Sequence, residues 1–135
     1  MEAGGRKITY RALNERTNRA AAVLRGLGVL RGDRVAILSE NRPEYFELQL
    51  ACAKIGAILA CQNWRLAPPE VRHCIGLVEP QVTMVSERHA GLLLESGAPA
   101  GCTVRFGDDY EARLASATAA EPELEAEPED GVLIL

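Results

Sequence analysis

Residues 34–60 constrain this chain most, because their pattern reads as strand, turn, helix and strand in quick succession. Arg34-Val35-Ala36-Ile37-Leu38 is a short apolar run with β-branched members, bounded by Gly32-Asp33 before it and Ser39-Glu40-Asn41 after it. Pro43 stands where a helix accepts proline, at its first position. Leu48, Cys52 and Ile55 then recur on one stripe, while Glu44, Glu47 and Lys54 fall off it and are expected on a solvated face. Gly56 is placed to stop the helix, and Ala57-Ile58-Leu59-Ala60 reads as a second buried strand. Two apolar strands joined by a helix of this length form a right-handed parallel crossover. The fold class is therefore α/β, a layered parallel sheet flanked by helices.

The remaining segments extend that unit. Ile8-Thr9-Tyr10 reads as the end of a short strand after a Gly4-Gly5 turn, with only three residues left for its partner, so half of a hairpin is expected. Thr9 can cap a helix in which Leu13, Thr17, Ala20, Leu24 and Leu27 share a face, with Gly28 as its stop. Pro68-Pro69 opens another helix in which Val71, Ile75 and Val78 share a face, and Glu79-Pro80 closes it. Val82–Val85 and Thr103–Phe106 read as strands, with a short helix capped by Ser86 between them and a weaker helix over Tyr110–Ala117. Residues 118–130 read as an acidic loop or linker. Val132-Leu133-Ile134-Leu135 is then expected as a buried strand. No internal repeat is visible.

Charge and cysteine usage exclude several classes. Of the 19 acids, six lie between Glu121 and Asp130, which leaves 13 against 15 bases and a body near +2 despite the formal net charge of −4. That balance gives no electrostatic case for nucleic acid or an anionic membrane surface. The apolar stretch from Leu48 to Cys61 is shorter than the ~20 residues of a span and carries Lys54, so no membrane span is expected. Cys52, Cys61, Cys74 and Cys102 form no C-x-x-C pair, which fits a reduced cytoplasmic protein with inert thiols.

Familiar catalytic patterns are missing. Gly26, Gly28 and Gly32 have the wrong spacing for a dinucleotide fingerprint and close a helix instead of opening one. Lys7 and Lys54 are the only lysines and neither sits in a glycine-rich phosphate loop. His73 and His89 are 16 positions apart, read as ordinary partly exposed histidines, and offer no metal pair. Ser39, Ser86, Ser96 and Ser116 lack a G-x-S-x-G setting. Asp108-Asp109 reads as loop, and Trp64 beside Arg65 reads either as a loop anchor or as a ring able to stack a base.

Five segments in order nevertheless resemble one family. Ile8-Thr9-Tyr10-Arg11-Ala12-Leu13, residues 28–37 (GVLRGDRVAI), Asn41-Arg42-Pro43-Glu44, Ala53-Lys54-Ile55-Gly56-Ala57 and Asn63-Trp64-Arg65-Leu66 are similar to successive N-terminal signatures of the adenylate-forming enzymes. These are the acyl-CoA synthetases, the adenylation domains of peptide synthetases and the luciferases. Asp130-Gly131-Val132-Leu133-Ile134-Leu135 resembles the strand that precedes the family's phosphate loop. The resemblance implies that residues 1–135 are a partial N-terminal (AMP-binding) domain of a carboxylate–CoA ligase, with the remainder of the large domain as its partner.

It also implies ATP, Mg²⁺ and coenzyme A as the parent's cofactors, a carboxylic acid as substrate, and a chain that binds none of them fully and is inactive alone. No catalytic residue and no metal ligand carries over. One contact does: the arginine of the family's Asn-x-Arg-Leu motif, here Arg65, lies near the nucleotide end of CoA, where a guanidinium can pair with phosphate. Cys61 and Trp64 depart from the family at positions where proline is common, and the second is compatible with fatty-acid-type ligases. A non-catalytic α/β binding module and a peptide-synthetase segment remain the alternatives. Self-association through exposed apolar surface is expected of an isolated piece.

Overall fold

The computed structural model describes residues 2–3, 6–123, 126–131 and 133–135. Its elements run β1 (Glu2–Ala3), β2 (Arg6–Lys7), α1 (Tyr10–Gly26), β3 (Arg34–Leu38), α2 (Glu44–Ile55), β4 (Ile58–Gln62), α3 (Pro68–Val78), β5 (Val82–Val85), α4 (Ala90–Ser96), β6 (Cys102–Arg105), α5 (Asp108–Ala115) and β7 (Leu133–Ile134). The unit at residues 34–60 forms as its pattern requires: β3 and β4 are parallel, with Val35 opposite Leu59 and Ile37 opposite Cys61. Gly56 ends α2 at φ 74°, a left-handed conformation that costs glycine nothing. Pro43 has helical dihedrals but caps α2 from just outside, one place earlier than its expected first helical position. Thr9 caps α1, its hydroxyl accepting from the Ala12 N–H at 3.1 Å. The Glu70 carboxylate in the first turn of α3 accepts from the Ala67 N–H at 2.8 Å.

Strand order fixes where a ligand can sit. The five-stranded sheet runs β6-β5-β3-β4-β7 with every neighbour parallel. Alternate residues of each strand face opposite layers. Val35, Ile37, Leu59, Val82, Met84 and Val104 pack with α1, α2 and α5, whereas Leu38 and Val85 pack with α3 and α4. Burial on both faces explains why β3 and β5 read as continuous apolar runs. The chain leaves β3 toward the first layer and leaves β5 toward the second. A crevice therefore opens between the carboxyl ends of these two adjacent strands, the place where open parallel sheets bind ligands.

Three sequence expectations need correction. The hairpin is whole: Glu2 pairs with Lys7 and Ala3 with Arg6, antiparallel, while the connecting Gly4 and Gly5 lie outside the described residues. The strand expected at Ile8–Tyr10 stops at Lys7, because Thr9 is taken by the helix cap and Tyr10 begins α1. The strand at the carboxyl terminus is not buried. Leu133 and Ile134 are 40% and 42% exposed, since β7 is an edge strand with β4 as its one strand neighbour. Val132 lies outside the described residues.

The acidic stretch before β7 carries no described helix or strand, and it is strapped down. Arg19 donates to the Ala117 carbonyl at 2.5 Å, Arg25 to the Glu123 carbonyl at 2.9 Å, and Lys54 pairs with Glu121. Asn18 donates to Ala119 O and to Glu121, each at 3.0 Å. Arg31 closes the strap on Asp130 at 2.8 and 2.9 Å. The Arg31 guanidinium first, and then the Glu127 N–H, hold the Asp130 carboxyl at about 2. A carboxyl lowered in the folded state stabilises it fully above its ordinary 3.8 and loses that contribution as pH falls through about 2. The amide resonances of Leu133 and Ile134 are therefore expected to move across that window. The same titration of Asp130→Asn should show no such transition, and an identical transition in the variant would discount the strap.

Candidate functional site at the carboxyl ends of the parallel strands

Three short connections converge at the crevice. After β3 come Ser39 and Glu40, and after β5 come Ser86 and a 3₁₀ turn over Glu87–His89; the parallel register that pairs Leu38 with Val85 brings the two together. After β4 the Asn63 side chain accepts from the Arg65 N–H at 2.9 Å, and its carbonyl accepts from Leu66 N–H at 3.3 Å. That local turn, which asparagine favours, sets Trp64 and Arg65 side by side.

Trp64 stacks on His89, with centroids 4.9 Å apart and planes 21° from parallel. The Arg65 guanidinium lies 4.5 Å from the Trp64 ring centre and that of Arg88 lies 5.4 Å from it, so one indole holds two cations. Both arginines are exposed, and among the described residues neither has a carboxylate within ion-pair distance. His89 is only 7% exposed and its Nε2 is 3.4 Å from Glu40 Oε2, without hydrogen-bond alignment. Burial pushes the Glu40 carboxyl up, but the nearby Ser86 hydroxyl, its own backbone N–H, His89 and Arg42 together bring it below the ordinary range. The Ser86 hydroxyl is close enough to favour the carboxylate yet makes no well-aligned bond, so Ser86 Oγ and His89 Nε2 are both buried without a hydrogen-bond partner. Below them the Tyr45 hydroxyl donates to the Ser39 carbonyl at 3.0 Å, and burial pushes that phenol up to about 12.

This arrangement is not a nucleophilic triad, because Ser86 makes no hydrogen bond to His89 and Glu40 lies beside both. Its chemical offer is cationic: two forked guanidiniums on an aromatic platform, suited to phosphate oxygens. Arg65 lies against the Trp64 ring, which is itself stacked on His89. His73 is exposed on α3, outside this cluster. His89 corrects its expected partial exposure, because the Trp64 ring covers it. Glu47 is a second correction: α1 and α5 close over the face expected to be solvated, and its side chain is 3% exposed against Arg16. Asp108 and Asp109 form the first turn of α5 instead of lying in a loop, and Asp109 accepts from the Arg105 N–H at 3.2 Å. Lys54 is committed to Asn14, Asn18 and Glu121.

Arg88, Ser86 and His89 escaped the sequence reading because no motif marks them. Only the order of strands reveals that they meet Glu40 and Trp64. The clefts elsewhere are less suited to a ligand. One of about 540 Å³ between α1 and α5 has its charged groups, Asp109 and Arg113, paired with each other, and one of about 400 Å³ beside Arg16 has that guanidinium tied to Glu47 and Glu111. All four cysteines are free, and burial pushes the Cys52 thiol up to about 12 and Cys61 in the same direction, so neither is a ready nucleophile. Among the described residues no three His, Cys, Asp or Glu side chains converge as a metal site, and no helix is long and apolar enough to cross a membrane.

Fold and site together define a doubly wound parallel α/β protein with a cluster of exposed cations at its switch point. The chain belongs to the AMP-binding enzyme family, which it matches over residues 1–135. It is 35% identical over 134 residues to the long-chain-fatty-acid–CoA ligase FadD13 of Mycobacterium tuberculosis, covering 96% of this chain and 27% of that protein. It is 33% identical over 119 residues to the fatty acid–[acyl-carrier-protein] ligase ScoC of Streptomyces coeruleorubidus, covering 87% of this chain and 23% of that one. The solved Mycobacterium tuberculosis fatty acyl CoA synthetase superposes with a TM-score of 0.87 at 32% identity, over 93% of this chain and 26% of its own. The chain thus spans about a quarter of the length of these relatives.

Proposed function

We propose that this chain is a segment of the large N-terminal domain of an ATP-dependent carboxylate–CoA ligase acting on a fatty or aromatic acid in the cytoplasm. In that reaction the carboxylate attacks the α-phosphate of ATP, releasing pyrophosphate and leaving an acyl-adenylate. The CoA thiol then takes the acyl group and AMP departs. Mg²⁺ serves the first step in such ligases, and we assign it no ligands here because the described donors form no cluster for it. Residues 118–130 act as the acidic loop that carries the chain to β7, and the exposed side chains of Leu133, Ile134 and Leu135 are the surface that further protein, or a second copy, would cover.

The observation that carries the reading is the Arg65 guanidinium held on Trp64 at the carboxyl ends of the strands. Its role in this proposal is to pair with a phosphate of the CoA nucleotide. The chain offers no lysine for the phosphoryl charge of ATP, since Lys7 lies in β2 and Lys54 is bound to Glu121. We therefore expect residues 1–135 to show no carboxylate-dependent ATP–pyrophosphate exchange. Trp64 is the only tryptophan, so its fluorescence reports directly on this surface. CoA should quench it, and Arg65→Ala should weaken that binding about tenfold, the scale of one charge-assisted hydrogen bond. Absence of any CoA response, or exchange by this chain alone, would overturn the proposal.

A further inference from the structure

We propose that Arg88 is a second phosphate-binding residue of the same surface, and that the pair Arg65 and Arg88 selects an acceptor thiol bearing several phosphates over one bearing a single phosphodiester. The inference rests on the CoA reading above and deepens it. Arg65 follows β4 and Arg88 follows β5, two elements on opposite sides of β3, and both guanidiniums reach the Trp64 ring, at 4.5 and 5.4 Å.

The indole acts as a spacer. It holds both guanidiniums against one ring, and among the described residues neither has a carboxylate within ion-pair distance, so the two like charges lack a counter-charge until an anion arrives. The held ring also lowers the entropy lost on binding, because each guanidinium is already placed and, among the described residues, its donors carry no hydrogen bond. Trp64 is in turn fixed by its stack on His89. Behind the stack, His89 Nε2 lies 3.4 Å from the Glu40 carboxylate, which the Ser86 hydroxyl also favours, so that carboxylate is engaged away from the two arginines.

The charge count names the ligand class. A single exposed arginine serves any monoanion. Two guanidiniums on one platform match a compact polyanion, and CoA carries a diphosphate and a 3′-phosphate. The phosphopantetheine arm of a carrier protein presents one phosphodiester. The distinction matters because the relatives named above differ in their stated acceptor, CoA for FadD13 and an acyl-carrier protein for ScoC.

Fluorescence titration of the native chain, Arg88→Ala, Arg88→Lys and Arg65→Ala with CoA, 3′-dephospho-CoA, phosphopantetheine and pantetheine tests the proposal. Native chain should bind CoA tightest, and Arg88→Ala should weaken CoA about tenfold while leaving pantetheine unchanged. Arg88→Lys should recover part of the loss, and added salt should shrink the difference between native and variant. Since Arg88 is exposed, the variant should keep the native unfolding midpoint. If Arg65→Ala weakens CoA and Arg88→Ala does not, the two-guanidinium surface is refuted while the CoA reading stands. If neither change matters, both fall. An equal loss for pantetheine, which has no phosphate, also refutes the role assigned to Arg88.

Discussion

Replacing Gly101 by alanine is expected to destabilise the chain by about 3 kcal/mol and to loosen β6 from β5. Gly101 sits at φ +65°, where any side chain is strained, for a cost of roughly 1–2 kcal/mol. A Cβ there would also meet the Gln81 carbonyl oxygen at 2.5 Å and that of Pro80 at 2.6 Å. Both are backbone atoms and cannot swing away, which adds the roughly 1–3 kcal/mol of an overpacked site. The position is sensitive for a specific reason. Gln81 O is the acceptor for Cys102 N–H at 3.1 Å, the bond that starts the β5–β6 ladder, and the Thr83 hydroxyl donates to the Ala100 carbonyl at 2.6 Å just before it. Relieving the clash means breaking those bonds.

Gly32→Ala supplies the control. Its φ is +83°, but nothing lies within 4 Å of the added carbon, so only the conformational cost of roughly 1–2 kcal/mol remains. Urea midpoints at unchanged slope measure both. Equal losses would show that the backbone collision contributes nothing.

The same strands mark the boundary of what the sequence can tell. β3, α2 and β4 were legible because two short apolar runs, a helical stripe of period 3.6 and Gly56 agree within residues 34–60. The Thr9 cap was legible for a local reason as well, since hydroxyl and N–H are three residues apart. Failures arose wherever a partner comes from far along the chain. Glu47 looks solvated on α2 alone, and becomes buried only because α1 and α5, more than 30 residues away on either side, meet over it. β7 looks buried by composition, and is exposed because strand order puts it on an edge.

The site divides in the same way. The neighbourhood of Trp64 and Arg65 was legible in the sequence, because the Asn63 turn that sets them side by side is local. Glu40, Ser86, Arg88 and His89 come together through the order β5-β3-β4, which no local pattern encodes.

Arg16→Ala is expected to cost about 3 kcal/mol, because it strands a buried carboxylate at the meeting of three helices. Arg16 on α1 reaches Glu47 on α2 at 2.5 and 3.3 Å, and Glu111 on α5 at 2.8 and 3.0 Å. The Tyr110 hydroxyl of α5 donates to the same Glu47 at 2.8 Å. Hydrogen bonding to Glu111 first, opposed by burial and then reinforced by Glu47, raises the guanidinium above its already high ordinary value, so Arg16 stays charged at any working pH. Burial first, and then Glu47, likewise push the Tyr110 phenol above its ordinary range, which keeps it a donor. Breaking a buried pair by removing one member costs roughly 3–5 kcal/mol, and the lower end applies because the Arg16 side chain is 32% exposed.

A graded series separates this network from general helix damage. Tyr110→Phe removes one hydrogen bond to a charged acceptor, about 1.5 kcal/mol. Glu111→Gln touches a half-exposed partner and should fall within about 0.5 kcal/mol of the native chain. The triple change Arg16→Met, Glu47→Leu and Tyr110→Phe should recover most of the Arg16→Ala loss, since apolar groups of similar volume need no solvation and no buried hydroxyl is left unpaired. If the triple change is as damaging as Arg16→Ala alone, the loss comes from packing of the Arg16 stem, and the buried carboxylate does not set the docking of α1, α2 and α5.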